Sequence, residues 1–99
     1  MGLTYQRGTT VTYYCSFLTL DKKEPTTIID PKITIRHIDD VGVVITDINE
    51  AVMVFAVENT YYYKWTIPGD AFVGNYNCEC EATVDSEYTE SNETVQVIN

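Results

Sequence analysis

The most reactive side chains in this 99-residue chain are three cysteines, Cys15, Cys78 and Cys80. Residues 78 and 80 share one face of an extended strand, and the alternation around Cys15 gives it the same inward direction. The two neighbouring thiols do not complete the four ligands that Zn²⁺ needs, and His37 is the only imidazole in the chain. We therefore expect core sulfurs and no cofactor. Two alternatives stay open: free thiols, or one disulfide from Cys15 to Cys78 or to Cys80.

His37 is also the only histidine that could act as a general base. Such a base needs a nucleophile or an activated water beside it, and the chain has no Gly-x-Ser-x-Gly turn, P-loop or Gly-x-Gly-x-x-Gly segment. Asp39 with Asp40, and the acidic residues within 85–90, offer oxygen ligands for Ca²⁺ but lack the Asp spacing of a calcium loop. We expect a satisfied histidine at the core edge, solvated acidic turns, and a protein that is not an enzyme.

Four outward-pointing strand residues form the candidate interaction surface: Tyr14, Tyr62, Glu79 and Glu81. Tyr is enriched at protein interfaces because it supplies a large contact area at low conformational cost. Glu79 and Glu81, on one strand face, would present a charged stripe to Lys or Arg of a neighbouring protein. The alternative is an ordinary solvated strand surface.

The elements that must position these residues are strands, since apolar and polar residues alternate with a period of two and no helical period appears. The segment 21–31 is predicted to be a surface loop, and 49–50 a turn. Trp65 and Tyr76 point inward with the cysteines and form the predicted structural core. We expect one domain, 1–99, because this length suits a two-sheet sandwich. The predicted strands are Leu3–Gln6, 9–20, 32–39, 43–47, 52–57, 60–67, 75–84 and 94–98.

The net charge of −9 limits the partners. Residues 65–99 contain seven acidic residues and no Lys or Arg, so nucleic acid and anionic membranes are disfavoured. The N-terminus lacks the apolar segment of a signal peptide. We therefore expect synthesis and assembly in a cytoplasm, where thiols stay reduced, which favours free cysteines.

One stretch, YYYKWTIPGDAFVGNYNCECE, consists of a strand, a Pro-Gly corner and a second strand with a Gly-x-Tyr-x-Cys pattern at Gly74, Tyr76 and Cys78. This pattern resembles the late strand of immunoglobulin domains. In that family the Tyr hydroxyl holds the corner before the strand, and the Cys pairs across the sheets with a Cys at the position of Cys15. The family's Trp on the third strand is missing here, since Trp65 comes two strands later.

The same stretch looks like the Tyr-Tyr-x-Trp-x-Ile-Pro…Asp-Ala-x-x-Gly-x-Tyr segment of bacterial and phage immunoglobulin-like modules. The resemblance implies an all-β, immunoglobulin-like, two-sheet antiparallel sandwich of about seven to eight strands. It also implies a small phage virion component, a head decoration or tail accessory protein, that docks on other protein subunits of a virion shell or tail tube, with a homo-oligomer within the assembly as a further option. The alternative is a cell-surface or secreted adhesion module of a bacterial repeat protein.

Overall fold

The computed structural model describes residues 3–19, 21, 23, 25 and 27–99, which form eight β-strands in two sheets. The order is β1-β8-β7-β3-β4 in one sheet and β2-β6-β5 in the other. All pairings are antiparallel except that of β1, which runs parallel to β8. The all-β, two-sheet prediction is confirmed. The strands are β1 (Leu3–Gln6), β2 (Thr10–Ser16), β3 (Ile28–Ile38), β4 (Val44–Val52), β5 (Val54–Val57), β6 (Thr60–Thr66), β7 (Gly74–Val84) and β8 (Glu87–Ile98).

The core lies between the inner faces of the two sheets, as in a sandwich. Strand β7 illustrates how a strand contributes to this core: every second residue from Tyr76 to Val84 is buried, and the residues between them face outward. Trp65 contributes the largest core side chain, and its ring lies 5.4 Å from that of Tyr76 and 6.3 Å from that of Tyr5. Within the described residues, no helix has the length and apolar character to cross a membrane.

Several predicted strand boundaries are wrong. Strand β3 begins at Ile28, inside the predicted loop, because Ile28 and Ile29 pair with β7. The predicted turn at 49–50 lies within β4, and the chain leaves that strand only at Met53. Strand β8 starts at Glu87, well before 94, because its polar first half pairs with β7. Strand β2 ends at Ser16, and residues 20, 22, 24 and 26 of the predicted strand and loop lie outside the described part.

Strand β4 contains two β-bulges that alternation alone could not predict. Its register against β3 shifts on either side of Ile35. Glu50 takes a left-handed conformation with φ of 46°, and its N–H donates to the buried Thr34 hydroxyl at 3.1 Å. A bulge re-aims nearby side chains, and the second bulge, between Thr46 and Ile48, contains Asp47, which contacts His37.

Candidate interaction surfaces

Tyr14 and Tyr62 are neighbours on the outer face of the three-stranded sheet. They are directly paired between β2 and β6, and their ring centroids lie 6.1 Å apart. Tyr14 is 60% exposed, whereas Tyr62 is half-buried between Tyr14 and Val54, its partner on β5. The row Tyr14, Tyr62 and Val54 therefore forms a partly aromatic strip across this face.

Glu79 and Glu81 lie on the outer face of the five-stranded sheet, where Glu90 of β8 joins them. Carboxylate oxygens of the three residues all lie within 4.8 Å of one another. The Tyr88 hydroxyl lies 2.6 Å from Glu81 Oε2 and 2.9 Å from Glu90 Oε2, and these hydrogen bonds raise the pKa of Tyr88. Arg36 lies 3.4 Å from Glu79. Neighbours within the chain thus already engage the acidic stripe.

The four residues of the candidate interaction surface do not form one surface. Tyr13 and Trp65, which alternate with the two tyrosines, are buried, and so are Cys78 and Cys80 beside the glutamates. The tyrosines and the glutamates therefore project from opposite outer faces of the two layers. A single flat partner cannot contact both pairs at once.

A third surface, which the sequence analysis missed, lies along β5. We define the β5 margin as Val52, Val54, Phe55 and Val57, whose side chains are 71%, 50%, 58% and 59% exposed. All four residues of β5 are exposed, and within the described part of the chain this strand pairs only with β6. The available signal was the uncharged run AVMVFAV at 51–57, which does not alternate. An apolar, unpaired strand edge is a template for pairing with another chain.

A groove of about 530 Å³ opens beside the β3–β4 hairpin, at the far end of β4 from the β5 margin. Ile38 and Val44 contribute exposed aliphatic side chains, and Phe72 lies against one wall. Arg36 and Asn77 add polar groups to the lining. This groove is therefore more polar than the β5 margin.

His37 sits at one end of the core in a set of packed rings. Its Nδ1 lies 2.6 Å from Asp47 Oδ2, and its ring stacks on Phe72 with the centroids 4.8 Å apart. The ring of Tyr76 also lies 4.8 Å from that of His37, and the Tyr76 hydroxyl donates to the Phe72 carbonyl at 2.7 Å. This arrangement matches the satisfied core-edge histidine that the sequence suggested. The Tyr76 hydrogen bond ties β7 to the corner before it.

All three cysteines are free thiols, and their surroundings differ. Cys78 and Cys80 are fully buried, whereas Cys15 is half-buried at the rim of the core. The Cys15 thiol interacts with Cys80 and with Ser91, whose hydroxyl is 3.7 Å away. Hydrogen bonding to Cys15, and then burial, raises the pKa of Cys80, while the same hydrogen bond lowers that of Cys15. Cys15 therefore has Cys80, and not Cys78, as its thiol partner across the sheets.

Comparison with protein families, with curated proteins and with solved structures finds no match to this chain.

Proposed function

We propose that this protein is a non-enzymatic interaction module that docks on a larger protein assembly through its β5 margin. The observation that carries the proposal is the exposure of every β5 residue although three of the four are Val or Phe. Exposed apolar patches on small proteins mark interaction sites, since water contact with them is unfavourable. The Tyr14–Tyr62 strip ends at Val54 and extends the margin over one sheet face.

We further propose that the sandwich is of immunoglobulin type. Two features support this. Sheet orders β2-β6-β5 and β8-β7-β3-β4 correspond to strands B-E-D and G-F-C-C′ of such domains. The Tyr76 hydroxyl, two residues before Cys78, bonds back to the Phe72 carbonyl as in the tyrosine corner of that family. A rigid sandwich of this kind presents its margins in fixed geometry, which suits docking.

The setting we propose is a phage virion, in which the protein is a head decoration or tail accessory component assembled in the host cytoplasm. The phage-module resemblance supports it, as does the charge of −9, which disfavours binding to the nucleic acid inside a particle. An adhesion module of a bacterial surface protein is the alternative, because an apolar strand margin would serve there as well.

Photo-crosslinking in the producing cells tests the proposal. A benzophenone amino acid replaces Phe55 in one variant and Tyr88 in the matched control, since both are exposed aromatic residues but lie on opposite sheets. We expect one discrete adduct with another polypeptide from position 55 and none from position 88. An adduct with a capsid or tail subunit supports the virion setting, and one with a cell-surface protein supports the alternative. Equal labelling from both positions, or none from 55, contradicts docking through the β5 margin.

A further inference from the structure

We propose that the partner contributes an extended segment of alternating aliphatic and Lys or Arg residues, which adds to the three-stranded sheet beside β5. This inference rests on the proposed docking function and specifies its chemistry. Main-chain hydrogen bonds to the free β5 edge would hold the segment. Its aliphatic side chains would cover Val54 and Val57, which pair with Tyr62 and Thr60 on the outer face of β6, and its cations would meet the acidic residues around the margin.

The four sheet edges differ in how well they are protected, and β5 is the least protected. Strand β4 carries Asp47, Glu50 and two bulges, all of which discourage pairing. Strand β2 exposes Thr, Tyr and Ser side chains and turns its apolar ones inward. The described edge strand β1 exposes Thr4 and Gln6 beside Leu3. Strand β5 has one register shift against β6, between Phe55 and Val57, but it has neither a charge nor a proline, and apolar side chains are exposed on both of its faces.

The charge around the margin selects a cationic partner. Of the five acidic residues between Arg36 and Lys64, only Glu50 and Glu58 lie beside the margin, since the other three lie toward the distant β3–β4 hairpin. Lys32 of β3 pairs with Val52 and offsets part of this negative charge. Glu58 directly follows β5, and Glu50 comes two residues before Val52; both are exposed. A partner strand with Lys or Arg would complement this field, and the attraction would speed association and fix the register. A second copy of this chain would bring a further charge of −9 and be repelled.

A synthetic peptide of four Val-Lys repeats, labelled with fluorescein, tests the inference by fluorescence anisotropy. The matched control peptide has four Val-Glu repeats. We expect saturable binding of the Val-Lys peptide, at least about ten-fold weaker binding of the Val-Glu peptide, and weakening with added salt. Amide hydrogen exchange should show new protection at Val54–Val57 when the Val-Lys peptide is bound.

Two pairs of variants locate the site. Val54→Lys puts a cation on the edge and should weaken peptide binding about ten-fold or more, whereas Val41→Lys makes the same change at the distant β3–β4 hairpin and should have less than about a two-fold effect. Glu58→Gln should weaken binding about two- to five-fold, as expected for one exposed charge pair, and Asp70→Asn at the other end of β6 should not.

Three results would overturn the inference: equal binding of the two peptides, equal binding by the Val54→Lys and Val41→Lys proteins, or protection outside β5. If the protein dimerises without peptide and β5 is protected in that dimer, the strand that pairs with β5 is a second copy of this chain, and the proposed cationic partner is wrong. If position 55 crosslinks in cells but the Val-Lys peptide does not bind, the docking function stands and only the partner chemistry is wrong. If the peptide binds but no crosslink forms in cells, the docking function fails.

Discussion

Replacing Tyr76 by Phe removes one buried hydroxyl and leaves the core ring in place. Tyr76 is 2% exposed, and its hydroxyl donates to the Phe72 carbonyl at 2.7 Å. A neutral hydrogen bond contributes about 0.5–1.5 kcal/mol net, and an acceptor left unpaired in a dry site costs more. Phe72 is half-buried and the hydrogen bond lies in a partly buried site, so the full cost of a dry, unpaired acceptor does not apply. We therefore expect a loss of about 1 kcal/mol, or roughly 4–8 °C in Tm for a domain of this size.

Urea unfolding followed by the fluorescence of Trp65, the only tryptophan, measures this loss. The control is Tyr14→Phe, which removes a hydroxyl from a side chain that is 60% exposed and should leave the midpoint unchanged. If Tyr76→Phe and Tyr14→Phe unfold at the same urea concentration as the parent protein, the corner hydrogen bond does not stabilise the fold and the reasoning is refuted.

Alkaline pH gives a second measurement on the same residue. Burial, and then the negative charge of Asp47, raises the pKa of Tyr76 from 10.0 to about 12. Because the folded-state pKa lies above the unfolded one, this contribution to stability is complete below pH 10 and is lost as the pH rises through 12. The difference in unfolding free energy between the parent and Tyr76→Phe should therefore shrink above pH 10. A difference that stays constant up to pH 12 contradicts the assigned pKa shift.

Two further predictions concern the core. Trp65→Ala should lower the free energy of unfolding by about 3–5 kcal/mol, because it empties a site where the side chain is 2% exposed; an unchanged Tm would contradict this. With glutathione disulfide as oxidant, the Cys15 thiolate should attack first and the Cys80 thiol should then displace glutathione, giving a Cys15–Cys80 disulfide and two reduced glutathiones. Peptide mapping should find that bridge in Cys78→Ser but not in Cys80→Ser, whereas a Cys15–Cys78 bridge would contradict the assigned contact.

The sequence predicted the direction of the core side chains well. Alternation placed Trp65, Tyr76 and two of the cysteines on inward faces, and the structure buries all four. This prediction succeeds because successive side chains along a strand point to opposite faces, so the pattern of neighbouring residues fixes the direction of each one. Cys15 has the same inward parity but is only half-buried, because β2 lies at the edge of its sheet.

The relative placement of the candidate interaction residues could not be predicted from the sequence. Tyr14 and Glu79 were both correctly predicted to lie on outer faces, but the sequence does not say which sheet each strand joins, and so it could not show that they project in opposite directions. The sequence pattern did not predict strand for the first half of β8 or for Ile28–Ile29 of β3. Both segments are strands because they pair with β7.

Local patterning by itself therefore determined that the chain is all-β and which side chains point inward, since both follow from the backbone geometry of single strands. Tertiary structure decided the pairing, the β4 bulges, the Cys15–Cys80 contact and the exposure of β5. Each of these features depends on contacts between residues far apart in sequence. Whether a strand is central or at an edge depends on how all strands of the sheet are ordered, and the sequence of that strand alone does not determine it. The run AVMVFAV has the composition of a buried strand, yet only Met53 is in the core, and Val52, Val54, Phe55 and Val57 are exposed because the described sheets end at β4 and β5.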